Sequence, residues 1–150
     1  MREKLFVAAV LIGLACCAAP AQDKTVINSL KAKQMLLGRH KLSLQWISWD
    51  YFGSATVVDK KGVLHLTGRQ SGRGSADFVS VDGTITSVDE KEFTFKGQIV
   101  TQISHINGGK PCTRDGEFTF KITGKRKYWR MQQIDNPCDE AADYVDIYLR

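Results

Sequence analysis

The feature that most constrains the fold is an alternation of apolar and polar side chains, which begins near residue 41 and recurs through the rest of the chain. Leu42, Leu44 and Trp46, for example, alternate with Ser43 and Gln45. Successive side chains of a β-strand point to opposite faces, so this period of two is typical of strands with one buried face. The same pattern recurs in residues 63–67, 92–96, 98–103, 117–122 and 144–149.

Glycine-containing segments separate these strands. Asp82-Gly83 and Asp115-Gly116 predict two-residue hairpin turns, since both turn positions favour a positive φ. Residues 59–62 and 107–111 read as further connections, and Gly97 predicts a bulge or a bend inside a strand. About eight to ten short strands at regular spacing indicate an all-β, mainly antiparallel fold, either a small barrel or a sandwich.

One segment is predicted to be helical. Residues 23–37 carry apolar side chains at roughly helical spacing, with lysines between them, and Gly38 is placed to end the helix. We expect this short N-terminal helix to pack across the barrel or against its mouth.

The N-terminal sequence predicts a signal peptide over residues 1–21. Arg2 and Lys4 precede an apolar run at residues 5–19, and Ala19-Pro20-Ala21 fits a cleavage site. We therefore expect export to the periplasm or the extracellular space, and a single mature domain over residues 22–150. A buried N-terminal helix is one alternative. Lipid modification at Cys16 or Cys17, which would anchor the chain to a membrane, is another.

Removal of the leader would leave two cysteines, Cys112 and Cys138. In an oxidising compartment such a pair predicts a disulfide. A free thiol or a metal pair remains the alternative, but neither cysteine has a second ligand type close to it at metal-site spacing. The three histidines, His40, His65 and His105, are also far apart, so we expect no metal and no cofactor.

The sequence GKRKYWR at residues 124–130 is strongly basic. Residues 135–146 contain several acids and no cation, so we expect the two segments to be cross-strand partners. The alternative is a protein-partner surface on Lys125, Arg126, Lys127 and Arg130. Nucleic acid is not an expected partner, because the nearby acids would cancel most of the positive field.

Aromatic residues suggest a ligand site. Trp46, Trp49 and Tyr51 follow one strand near its end, and Trp129 lies on a later strand. These four would line a cavity if the barrel were hollow; if the barrel is filled, they form its core and plug, which is the favoured interpretation. The glycine-rich residues 68–75 read as a flexible loop.

The overall plan resembles the lipocalin-type secreted barrels, which combine a leader, a short helix, about eight strands and a disulfide. The resemblance is architectural. Lipocalins carry Gly-x-Trp near the first strand, whereas here Gly38 is followed by Arg39 and His40, and the first tryptophan is Trp46. No binding residue is therefore carried over.

These features favour an exported, disulfide-stabilised β-barrel that binds a small apolar ligand or an envelope component and does not catalyse a reaction. The alternative is a protein-partner module, such as an inhibitor or immunity-type protein, that uses the basic hairpin. A hydrolytic enzyme using His105 with Arg114 or Asp115 is a distant third hypothesis, because the sequence lacks the common nucleophile and metal-hydrolase motifs.

Overall fold

A computed structural model describes residues 21–150 of the chain. The predicted signal peptide, apart from Ala21, lies outside the described residues, and so do Cys16 and Cys17. Within residues 21–150 no helix has the length and apolar character needed to cross a bilayer.

The described residues form nine strands, one α-helix and a single 3-10 turn. In chain order the elements are β1 (Val26–Ile27), α1 (Leu30–Leu36), β2 (Gly38–Leu44), β3 (Gly53–Lys60), β4 (Val63–Ser71), β5 (Phe78–Val88), β6 (Glu92–Gln102), the 3-10 turn (Asn107–Gly109), β7 (Cys112–Lys121), β8 (Tyr128–Met131) and β9 (Val145–Tyr148).

Eight of these strands close into an antiparallel barrel, which confirms the predicted fold class. The order is β5-β4-β3-β2-β9-β8-β7-β6, and β6 pairs with β5 to complete the ring. Closure leaves the eight barrel strands without a free edge. The short strand β1 is added outside this ring, in parallel register with the last residues of β5.

The barrel has two ends that differ in what covers them. We call the end with α1, the β3–β4 and β5–β6 turns and residues 122–127 the helix end. The disulfide end carries the connections formed by residues 45–52, 72–77, 103–111 and 132–144.

The two predicted Asp-Gly hairpin turns are wrong, because both pairs lie inside long strands. Gly83 of β5 pairs with Gly97 of β6, which pairs in turn with Gly116 of β7. A Cβ atom on Gly83 would lie 2.3 Å from the carbonyl oxygen of Lys96 and 2.8 Å from the ring of Phe95. The glycines therefore let neighbouring backbones and a core ring approach closely, and the register irregularity of this strand pair lies instead between Ile85 and Ser87.

The predicted helix is shorter than expected. It begins at Leu30, where Ser29 caps it by accepting a 3.1 Å hydrogen bond from the amide of Ala32. The residues before it form β1 because their polar groups find partners on the barrel. Thr25, for example, donates its hydroxyl to the carbonyl of Ile85 at 2.6 Å. Tertiary hydrogen bonding thus overrides the helical spacing.

The barrel interior is filled by aromatic and aliphatic side chains. Phe93 and Phe120 stack with ring centroids 5.0 Å apart, and Phe95 packs edge-to-face against Phe120. Leu42 and Leu44 of β2 are also fully buried. These side chains occupy the space that a hollow barrel would offer to an apolar ligand.

The close approach at the paired glycines can be tested by substitution. We expect Gly83→Ala to lower the free energy of unfolding by at least about 2 kcal/mol, since its Cβ has no space. Ser80→Ala, on the outer face of the same strand, should change it by less than about 0.5 kcal/mol. Urea unfolding measures both, and equal effects would contradict the assigned register.

Candidate functional site

The structure places Trp129 in the core and not at a ligand cavity. Its side chain is 2% exposed, and its ring packs edge-to-face against Phe93 and His40, with centroids 5.8 Å away in both cases. The prediction that Trp129 lines a ligand cavity is therefore wrong, because its strand points it into the filled interior.

The other three predicted ligand residues lie apart on the disulfide end. Trp46 packs against His105 and borders a surface pocket of about 460 Å³ with Tyr144. Trp49 is 52% exposed. Tyr51 accepts a 3.0 Å hydrogen bond from the amide of Arg73, whose guanidinium lies 4.2 Å from the ring centroid. The four predicted aromatics do not share a cavity.

The Cys112–Cys138 disulfide is confirmed, and it ties the start of β7 to residues 132–144. That segment contributes Asn136 and the fully buried Asp143. The Asp143 carboxylate accepts hydrogen bonds from Trp46 Nε1 at 3.2 Å and Asn136 Nδ2 at 3.0 Å. Burial raises the pKa of Asp143, and these hydrogen bonds and Arg114 offset only part of the increase.

Arg114 is the cationic neighbour of Asp143. Its Nη1 atom lies 3.8 Å from Asp143 Oδ2, beyond ordinary hydrogen-bond length, and Nη2 donates to the carbonyl of Gln133. Burial lowers the pKa of Arg114, while Asp143 and Asp135 act in the opposite direction. The cluster packs the disulfide end, and within the described residues His105 forms no hydrogen bond with Arg114 or Asp115.

The predicted pairing of the basic hairpin with the acidic C-terminal segment is correct. Arg130 of β8 lies opposite Asp146 of β9, and its Nε and Nη2 atoms each donate to the carboxylate at 2.7 Å. The hydrogen bond to Asp146 raises the pKa of Arg130. Arg130 therefore does not belong to a partner surface: its side chain is 15% exposed and fully engaged. Lys125, Arg126 and Lys127 are exposed in the preceding turn.

A groove of about 720 Å³ lies on the outer wall of the barrel, over β2 and β9. We call it the cationic groove and define it by Arg39, Lys41, Phe52, Lys127, Tyr148 and Arg150. On β2 the alternation turns Arg39 and Lys41 outward while His40 and Leu42 are buried. The sequence alternation indicates this outward placement and also the strand β9, but it does not indicate that β9 lies next to β2.

Aromatic rings form one wall of the groove. Phe52 packs edge-to-face against Tyr148 at 5.1 Å, and Lys41 Nζ lies 4.9 Å from the Phe52 centroid. Burial raises the pKa of Tyr148. Such a surface presents cations and flat apolar rings together.

The four cations of the groove carry no acidic partner among residues 21–150, because the ion pairs described there involve other residues. Arg150 donates to the carbonyl of Gln34 at 3.4 Å. Within residues 21–150 no acidic side chain therefore lies within ion-pair distance of these four cations.

His40 supports the groove from inside the barrel. Its Nε2 atom lies 2.7 Å from the carbonyl oxygen of Leu36, and Nδ1 lies 2.8 Å from that of Tyr148. The ring thus connects the last turn of α1 to β9 and holds the backbone of a groove residue in place. Because each ring nitrogen faces a backbone carbonyl oxygen at close range, neither nitrogen is open to a ligand.

Comparison with known proteins gives a family match. The model of the PM1083 family matches residues 24–149. The chain is 44% identical over 150 residues to the uncharacterized protein PM1083 of Pasteurella multocida (strain Pm70), covering 98% of this chain and 95% of that protein. No solved structure matches.

The Arg130–Asp146 pair should contribute strongly to stability. Asp146→Ala leaves the Arg130 cation without its partner at a nearly buried site, and we expect a loss of about 3–5 kcal/mol in the free energy of unfolding. Glu92→Ala removes the exposed pair with Lys121 and should cost less than about 1 kcal/mol. Similar losses in the two variants by urea denaturation would contradict this difference.

Asp143 should have a distinct pH signature. Since its pKa is raised in the folded state, protonated Asp143 favours folding, and this contribution is lost as pH rises from below 3.8 through the folded pKa. The stability of the wild type relative to Asp143→Asn should therefore decrease with rising pH. Urea denaturation of both proteins across acidic to neutral pH tests this, and a relative stability that increases would show that the Arg114 ion pair outweighs burial.

Proposed function

The chain belongs to the PM1083 family, and we propose that it is an exported, non-catalytic binding protein that holds a small anionic ligand in the cationic groove. One observation carries the proposal. Four cations without an acidic partner in the described residues surround a wall of packed aromatic rings.

The chemistry of the groove suits a ligand with a carboxylate or phosphate and a flat or apolar body. Arg39 and Arg150 offer planar forks that match such anions, and Lys41 and Lys127 add point charges. Phe52 and Tyr148 offer ring surface to the body of the ligand. The volume of about 720 Å³ lies within the range of small-molecule sites.

The filled interior is the reason for placing the ligand outside the barrel. A wholly apolar ligand would need the space that Phe93, Phe95 and Trp129 occupy. Export is part of the proposal: the N-terminal sequence supports it, and the Cys112–Cys138 disulfide fits an oxidising compartment.

A non-catalytic role is supported by how the candidate groups are used. Both ring nitrogens of His40 face backbone carbonyl oxygens, and the ring of His105 packs against Trp46. Arg114 is buried against Asp143 and Gln133. Within residues 21–150 neither histidine forms the hydrogen bond to a nucleophile that a histidine-based hydrolase uses.

An acidic protein partner is the second candidate. The exposed turn with Lys125, Arg126 and Lys127 favours it, and Lys127 lies on the rim of the cationic groove. An inhibitor or immunity-type protein could use this turn together with the groove. If this candidate is correct, the wild type should capture the partner from an envelope extract, and charge reversal at these three residues should abolish that capture. The wild type should not bind naphthyl phosphate.

Isothermal titration calorimetry with naphthyl phosphate tests the ligand proposal. We expect binding to the wild type and a loss of at least about tenfold in affinity for Arg39→Gln/Lys41→Gln, since two charge contacts are removed. The neutral naphthyl alcohol should bind more weakly than the phosphate.

The matched control is Arg69→Gln. Arg69 also lies over an aromatic ring, with its guanidinium 3.9 Å from the Phe78 centroid, but it belongs to β4, outside the groove. Its affinity for naphthyl phosphate should equal that of the wild type. An equal loss of affinity in Arg69→Gln and in Arg39→Gln/Lys41→Gln would contradict the proposed function. So would the absence of naphthyl phosphate binding to the wild type.

A further inference from the structure

The helix end exposes two large aliphatic side chains. Leu30, the first residue of α1, is 75% exposed, and Val26 of β1 is 57% exposed. Their neighbours in the same two elements pack inward: Ala32 and Leu36 of α1 belong to the barrel core, and Ile27 of β1 packs against it. At the helix end, α1 is therefore fixed to the barrel core on one side, while Leu30 and Val26 project into solvent.

Two clefts flank α1 and continue this apolar character. Met35 and Leu149 line both, and Ile122 lines the second. Lys31 also borders both clefts. We call the apolar side chains that line them, Met35, Leu149 and Ile122, the apolar floor.

Cations surround this floor. Besides Lys31, they are Lys91, Arg126, Lys127 and Arg150. Glu90 is the acid that borders these clefts. None of the five cations takes part in an ion pair within residues 21–150.

The opposite end of the barrel has the opposite charge character. Its connections carry Asp50, Asp77, Asp135, Asp139 and Glu140, while their cations are few. The charges are thus separated along the barrel axis, and a negatively charged surface would attract the helix end and repel the disulfide end.

We propose that the helix end docks on an anionic phospholipid surface. Leu30 and Val26 enter the interface between headgroups and acyl chains, and Lys31, Lys91 and Arg126 contact the phosphates. Exposed aliphatic side chains ringed by cations are the pattern of interfacial membrane binding, in which apolar burial and attraction to anionic lipids add together. A soluble polyanion would use the cations but would leave Leu30 without a role.

Residues 22–25 reach the helix end from the outer wall of β5. Gln22 Nε2 donates to the hydroxyl of Thr84, near the middle of β5, at 3.2 Å, and the amide of Thr25 donates to the carbonyl of Gly62 in the β3–β4 turn at 2.9 Å. The docking surface differs in chemistry from the cationic groove because it includes exposed aliphatic side chains, although both surfaces include Lys127 and Arg150.

Vesicle co-sedimentation of the chain from Gln22 onward tests the proposal. We expect binding to vesicles of phosphatidylcholine mixed with phosphatidylglycerol, weaker binding at high salt, and no binding to phosphatidylcholine alone. Leu30→Ser should reduce the partition coefficient at least about tenfold. Lys31→Glu should also reduce it. Both residues are exposed, so the thermal unfolding of the variants should match that of the wild type.

Matched controls come from the disulfide end. Trp49→Ser removes an exposed aromatic side chain there, and Lys110→Glu reverses an exposed charge. Neither should change vesicle binding. The proposal would be overturned if these controls lost as much vesicle binding as Leu30→Ser and Lys31→Glu, or if the wild type did not bind the mixed vesicles. Complete displacement of the protein from the vesicles by glycerol phosphate would also overturn it.

The proposed function can be judged separately. Leu30→Ser leaves every residue of the cationic groove in place, so its affinity for naphthyl phosphate should equal that of the wild type. Failure of vesicle binding with intact naphthyl phosphate binding would reject the membrane inference alone.

Discussion

Closure of the barrel is the constraint on which the rest of the structure depends. It is completed by the two short C-terminal strands, β8 and β9, which fill the gap between β7 and β2. The bidentate pair between Arg130 and Asp146 bridges β8 and β9 on the outer wall. Backbone pairing between β8 and β9 covers only three positions, and the ion pair adds a side-chain link between the two strands.

Closure also determines where a ligand can bind. A ring of eight strands leaves an interior that side chains can fill, and here Phe93, Phe95 and Trp129 lie in it together with the buried aliphatic residues of the core. Binding surfaces must then lie on the outer wall or the ends. The cationic groove exists because β9 places Tyr148 beside β2, whose outward side chains include Arg39 and Lys41.

Alternation along the chain was sufficient to predict the fold class and most strands, and the cysteine count together with the predicted export was sufficient to predict the disulfide. Sequence-based prediction failed where the structural role of a residue depends on residues that are distant in sequence. Asp82-Gly83 looks like a turn locally, but Gly83 is required by the backbone of β6. Residues 26–27 fit a helix, yet β5 offers them strand partners. The sequence predicted that the basic and acidic segments pair, but Arg130 was still placed on the alternative partner surface because the register that puts Asp146 directly opposite it could not be predicted. The groove was missed for the same reason, since β2 and β9 are far apart in sequence.

The central claim is that the barrel is filled and binds its ligand on the outer wall. The most direct test is nuclear magnetic resonance mapping of amide and methyl chemical shifts during titration with naphthyl phosphate. The account predicts shifts at Arg39, Lys41 and Tyr148, and unchanged methyl signals from interior residues such as Leu44 and Val81. Large shifts of the interior methyl groups, with the groove unaffected, would show that the ligand enters the barrel and would contradict the claim.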